Sequence, residues 1–232
     1  MTGKSEQVRE MFAEIAPKYD AANEILSLKV YHSWYKKVIK ESSLKDDTKL
    51  LDCATGTGNL AIAFKKYGNF LCDVTGVDYC KPMLDIGVEK AKRENLDIKF
   101  EIADVMELPY EDNYFDLATI SFGIRNVSDI SRGINEMARV VKPMGKVIIL
   151  EFGMPKSFFR YIYSFWQKKI IPFFGKLITG SNYAYDYLAI TSSEFPCRED
   201  FITIMEGTGK FSHCAFKSLS GGIAYLYVGN VI

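Results

Sequence analysis

The chain has 232 residues, 48% of them hydrophobic, and its 29 basic side chains are balanced by 29 acidic ones. That apolar content suits one domain with a substantial core, and the absence of net charge removes the overall positive field with which proteins gather nucleic acid. The five cysteines are odd in number and form no C-x-x-C pair, which points away from a disulfide framework or a zinc site and toward a reducing cytoplasm.

The N-terminus, MTGKSEQVREMF, has no apolar stretch followed by a small-residue cleavage site, and nowhere do 18 apolar residues run uninterrupted. Residues 5–15 and 29–40 carry helical spacing, the second with Val30, Trp34 and Val38 at i, i+4 and i+8. Between them, Ile15-Ala-Pro-Lys-Tyr-Asp20 predicts a proline break. From Lys49 onward short apolar runs alternate with amphipathic stretches. Strands are expected at 50–53, 74–77, 98–102, 115–121 and 146–152, with helices near 59–66, 82–93 and 129–141. Strand followed by helix, repeated, predicts an α/β fold: a mostly parallel sheet with helices on both faces. A helix near 198–207 follows, and two alternating runs around Ser220-Gly-Gly222 predict an antiparallel hairpin at the sheet edge.

Polar residues gather where strands end. Leu51-Asp-Cys-Ala-Thr-Gly-Thr-Gly58 closes a strand and opens a helix, so Gly56 and Gly58 allow a tight turn and close approach to a ligand. Gly76-Val-Asp78 places a carboxylate at the end of the next strand, where it either accepts both hydroxyls of a ribose or caps the helix ahead of Pro82. Ile102-Ala-Asp-Val-Met-Glu-Leu-Pro109 puts Asp104 past the third strand, positioned for an adenine amino group, with an adjacent backbone N–H for a ring nitrogen. Three strand ends facing one crevice predict an adenosine-containing cofactor.

With Arg139-Val-Val-Lys-Pro-Met-Gly145, these motifs resemble class I S-adenosylmethionine-dependent methyltransferases. The resemblance implies a Rossmann-like sheet and S-adenosyl-L-methionine as cofactor, with Gly56, Thr57 and Gly58 at its methionine part, Asp78 at the ribose, and Asp104 and Val105 by the adenine. Met83 is expected either against the adenine face or as plain core.

Ser121-Phe-Gly-Ile-Arg-Asn-Val127 narrows the resemblance to the ubiquinone and menaquinone biosynthesis C-methyltransferases. Met11-Phe-x-x-Ile-Ala-x-x-Tyr-Asp20, Leu150-Glu-Phe152 and Gly221-Gly-Ile223 are similar to that family as well, so the resemblance spans nearly the whole chain. It implies methylation of a ring carbon of a polyprenyl quinol, with Ser121 at the cofactor. Arg125 is then expected to stabilise the ring oxygen as it loses its proton, Asn126 to orient the ring, and Tyr19 to form a wall or hydrogen-bond partner. The bland alternative for Arg125 is a salt bridge to Glu136 or Asp129, and for Asn126 a turn. Three positions depart from the family pattern: Met144 stands where a second glycine is usual, Asp186 where an arginine is common and Tyr227 where a histidine is common. The last two are expected to face the substrate.

The stretch Phe158–Phe174 mixes aromatic and aliphatic residues with Arg160, Lys168 and Lys169, which predicts either contact with a bilayer interface or an apolar lid. The expected organisation is one domain: a helical cap (1–45), a cofactor-binding core (46–155), a substrate- or membrane-facing insertion (156–210) and a C-terminal hairpin (211–232). The partners expected are a polyprenyl quinol, a membrane surface touched peripherally from the cytoplasm and, as one open arrangement, a second copy of the chain; no metal or nucleic acid is expected.

Overall fold

The computed structural model describes residues 3–27, 29–68, 71–155, 161, 163 and 183–232. Apart from Tyr161 and Tyr163, the expected membrane-facing stretch 158–174 lies outside the described residues. Two helices come first, α1 (Gly3–Leu26) and α2 (Val30–Ser42). Strand β1 (Lys49–Cys53) leads into α3 (Asn59–Ala63), which continues as one π-helical turn, and β2 (Asp73–Asp78) leads into α4 (Lys81–Arg93). Then come β3 (Lys99–Ile102), β4 (Phe115–Ser121), a 3₁₀ turn (Ile124–Asn126), α5 (Ile130–Val140) and β5 (Val141–Phe152). The chain closes with α6 (Tyr183–Glu194), α7 (Glu199–Gly207), β6 (Phe211–Leu219) and β7 (Ala224–Val231).

The strands form one sheet in the order β3-β2-β1-β4-β5-β7-β6. The first five are mutually parallel, and β7 enters antiparallel between β5 and β6. The expected hairpin is therefore present with β7 inside and β6 as the edge. Strand order reverses between β1 and β4, and the strand ends at such a reversal open into a crevice. Side chains alternate between faces with a period of two. Leu51, Cys53, Val147 and Ile149 pack with Ile134, Met137, Phe201 and Met205 of α5 and α7. Leu50, Leu117, Ile148 and Leu150 pack on the other face with Trp34, Tyr35, Leu60 and Phe64 of α2, α3 and the π turn. Each such side chain, fully buried, contributes about 1.5–3 kcal/mol.

The proline break is not there: α1 passes through Pro17 as one helix. An interior proline forfeits a backbone hydrogen bond and costs about 3 kcal/mol. Ile15, Ala16 and Ala22 around it are buried, Ala16 with Cys80 and Met83 of the α4 region and the others with residues of α6, and that packing overrides local propensity. Tyr227 does not face a substrate either. It is fully buried on β7, its ring centroid 4.6 Å from that of Phe201 and its hydroxyl accepting the Arg198 N–H at 2.8 Å. The Asp186 side chain lies outside the described residues. Met144 has φ 67° and is 88% exposed, so it adopts the left-handed backbone that favours glycine while its side chain stays in solvent.

Candidate active site

A crevice of about 550 Å³ opens along the carboxyl ends of β1, β2, β3 and β4, with Val8, Arg9, Phe12 and Tyr19 of α1 on its opposite wall. Its volume falls within the range of small-molecule sites. The floor is the loop after β1, where Ala54, Gly56 and Gly58 have φ of 45°, 57° and 75°. Thr55 ties the loop to β2 through its N–H on the Val77 carbonyl at 2.9 Å. Beneath, the fully buried Asp52 accepts the hydroxyls of Thr55 and Thr119 at 2.6 and 2.8 Å, and burial pushes its carboxyl up to about 6.

Asp78 projects from the end of β2 into this wall. One carboxylate oxygen accepts the Gly56 N–H at 2.7 Å and the other the Cys80 N–H at 2.8 Å. Burial pushes the pKa of its carboxyl up, and the N–H groups of Cys80, Gly56 and Tyr79 oppose that rise. The residue at the helix-cap position is Cys80, not Asp78. Asp104 accepts the Met106 N–H at 2.9 Å, with Val105 beside it, and Met83 closes the wall near Gly56; all three line the crevice. Ser121, at the end of β4, lines it too and is hydrogen-bonded to the buried Tyr35 of α2.

The predicted residues thus divide. Gly56, Asp78, Met83, Asp104, Val105, Ser121, Asn126 and Tyr19 share the crevice. Thr57 and Gly58 stand behind it: the Thr57 hydroxyl bonds to Asp20 of α1, and a Cβ on Gly58 would meet the Phe100 ring at 2.9 Å. Arg125 is buried and is not part of the crevice wall. Its partner is neither Glu136, which binds Arg139 and the Leu108 N–H, nor Asp129, which caps α5. It is Glu151 of β5, which takes the Arg125 Nη1 at 2.5 Å. Asn126 lines the crevice, and its side-chain oxygen is buried with no partner among the described residues.

Several contributors escaped the sequence reading. Asp20 accepts hydrogen bonds from Thr57, Asn59 and Lys90, joining α1 to the glycine loop and α4. Burial would raise its carboxyl, but Lys90, Thr57 and Asn59 together hold it below the usual range. Its signal was a carboxylate next to Tyr19 inside an amphipathic stretch. Glu151 also had a signal: a lone acid within the apolar run Val147–Phe152 of a parallel sheet buried on both faces demands a buried partner.

The donor set fits the expected cofactor. Asp78 offers a carboxylate for a vicinal diol, Asp104 a second for an amino group, and Gly56 a side-chain-free approach at a backbone angle that L side chains rarely adopt. Comparison with known proteins agrees with this chemistry. Over 227 residues the chain is 48% identical to the ubiquinone/menaquinone biosynthesis C-methyltransferase UbiE of Bdellovibrio bacteriovorus, covering 97% of this chain and 96% of that one. It is 39% identical over 226 residues to a demethylmenaquinone methyltransferase of Staphylococcus aureus, covering 97% and 92%. Among solved structures, the phosphoethanolamine N-methyltransferase 2 of Haemonchus contortus with S-adenosyl-L-methionine shares the fold at TM-score 0.59 and 20% identity, over 81% of this chain and 39% of that one. The model of the ubiE/COQ5 methyltransferase family matches residues 1–230, and the chain belongs to that family.

Proposed function

We propose that the protein transfers a methyl group from S-adenosyl-L-methionine to a ring carbon of a polyprenyl quinol, converting demethylmenaquinol to menaquinol or carrying out the equivalent benzoquinol step of ubiquinone synthesis. The observation that carries this reading is the crevice itself. It brings the ribose-type carboxylate Asp78 and the amide of Asn126, with its oxygen unpartnered among the described residues, into one crevice at the ends of β2 and β4, the two strands that flank β1. Full-length similarity to enzymes named for this reaction supports the same substrate class.

The cofactor supplies an electrophilic methyl group. Asp78 would hold its ribose hydroxyls, Asp104 its adenine amine and Gly56 its amino-acid end, while Met83 packs against it. A quinol ring carbon becomes a good nucleophile when a ring hydroxyl gives up its proton, and a phenol titrates near ~10. Doing so at neutrality requires about 4 kcal/mol of selective stabilisation, at about 1.4 kcal/mol per pH unit. A fixed guanidinium in a low-dielectric surrounding can supply that much. In this reading Asn126 and Tyr19 orient the ring at the crevice, and Arg125 acts on the ring oxygen through its field. Burial raises the Tyr19 phenol, while its bond to Asn23 and the charge of Arg125 work against that rise.

Among the described residues no helix is long and apolar enough to cross a membrane. A prenyl tail would reach this site from a bilayer surface, the role proposed for residues 158–174. The test is a purified protein supplied with labelled cofactor and demethylmenaquinol, the product being read by mass spectrometry. A methylated quinone is expected; cofactor binding with no methylation of either quinol class would end the reading. Quinones extracted from cells lacking the protein assign the pathway.

A further inference from the structure

The carboxylate of Glu151 is fully buried on β5 and wraps the start of the turn that carries Asn126. One oxygen takes the Arg125 Nη1 at 2.5 Å and the Phe152 N–H at 2.8 Å, and the other takes the Arg125 backbone N–H at 3.4 Å. The same Nη1 also donates to the Phe122 carbonyl at 2.7 Å, and the guanidinium lies 5.3 Å from the centre of the Phe152 ring. One edge of the guanidinium is thus committed, whereas its Nε, also buried, has no partner among the described residues.

Two charges removed from water and paired in this way gain little stability over an apolar pair of the same shape, so the arrangement calls for another account. We infer that Glu151 is a positioning residue for methyl transfer: it fixes the Arg125 guanidinium behind the crevice wall, from where its charge acts on the ring oxygen through its field, and it offsets that charge so that the acceptor hydroxyl is acidified only partly. This rests on the quinol reading given above. Among the described residues, the ionisable groups that interact with the pair are phenols: Tyr19 from α1, Tyr163, and Tyr227 from β7. Burial pushes the Tyr163 phenol up to about 12, so it keeps its proton through the neutral range. Burial likewise raises the Glu151 carboxyl, and Arg125 with the Phe152 N–H pulls it back.

The test uses a chromogenic acceptor mimic, a nitrophenol carrying a short prenyl group, titrated by absorbance while bound to the full-length protein with cofactor present. In the parent its bound pKa should lie below the free value. Glu151→Gln keeps an acceptor oxygen and removes the charge, so the bound pKa should fall by about one further unit, a 10-fold change in ionisation, with cofactor affinity within 2-fold of the parent. Arg125→Met should return it to the free value or above. Should Glu151→Gln fail to fold, Arg125→Met with Glu151→Leu replaces the pair by apolar groups, and it should fold, bind cofactor normally and lose the depression. A bound pKa indifferent to Glu151→Gln, a retained depression in the double variant, or no binding of the mimic by the parent would overturn the inference. Because the mimic is read without turnover, these failures are distinct from a parent that methylates no quinol.

Discussion

The Asp20 carboxylate, near the end of the first helix, accepts the Thr57 hydroxyl of the glycine loop at 2.6 Å and the Lys90 ammonium of α4 at 2.7 Å. One side chain therefore joins the α1 wall of the crevice to its floor, and Tyr19 next to it lines the site. Asp20→Ala would leave Lys90, whose side chain is only 15% exposed, without its counter-charge. A loss of about 1–3 kcal/mol of stability and about 10-fold in cofactor affinity is expected. Denaturant titration and calorimetry on the same preparation check both; parental affinity in a destabilised variant would make Asp20 a structural tie alone.

How much of this was legible beforehand follows from which interactions are local. The strand and helix pattern from Leu50 to Phe152 was readable because period two and period 3.6 are set by neighbours along the chain. The glycine loop, Asp78 and Asp104 were readable because their spacing is tied to those elements. The partner of Arg125 was not: Glu136 and Asp129 are near in sequence, but Glu151 becomes a neighbour only when β5 pairs with β4, with Ser121 opposite Leu150. Pro17 misled for the same reason, since the contacts that keep α1 helical come from α4 and α6.

Asp78 has two backbone hydrogen bonds already, to Gly56 and Cys80, each using one carboxylate oxygen. Asp78→Ala should therefore remove the ribose contact and also slacken the Gly56 turn. A 10-fold to 100-fold weaker affinity for S-adenosyl-L-methionine is expected, the value of one or two charge-assisted hydrogen bonds. Isothermal calorimetry decides the matter, and an unchanged dissociation constant would confine Asp78 to shaping the loop.

Asp52 gives a pH signature. Burial raises its carboxyl from the ordinary 3.8 to about 6, so between those values the folded chain holds a proton that the unfolded chain has released. The native state binds more protons in that window, and stability must fall as pH rises from about 4 to about 6, by about 3 kcal/mol at ~1.4 kcal/mol per unit. Asp52→Asn has no such proton. Subtracting its urea unfolding energies from those of the parent, pH by pH, should leave that downward slope and flat ends; a flat difference throughout would mean Asp52 stays ionised when folded.

The last prediction concerns Phe100 of β3, whose ring fills a slot made by three glycines. A Cβ built on Gly58 would lie 2.9 Å from the ring, one on Gly87 3.0 Å and one on Gly76 3.2 Å. Loop, α4 and β2 thus close around one aromatic side chain, and the glycine after Thr57 is needed for that packing as well as for its φ of 75°. Gly58→Ala carries two separate costs. Left-handed backbone at an L residue costs about 1–2 kcal/mol, and overpacking against the ring adds about 1–3 kcal/mol. Phe100→Leu removes the outer ring atoms, so it should relieve the second cost and not the first. Phe100→Leu alone leaves a cavity and should destabilise the parent by about 1–3 kcal/mol. In the double variant the two changes should cost about 1–2 kcal/mol less than their sum, a coupling within reach of a double-mutant cycle. Additive costs would mean that the ring moves aside freely and that backbone angle alone reserves position 58 for glycine.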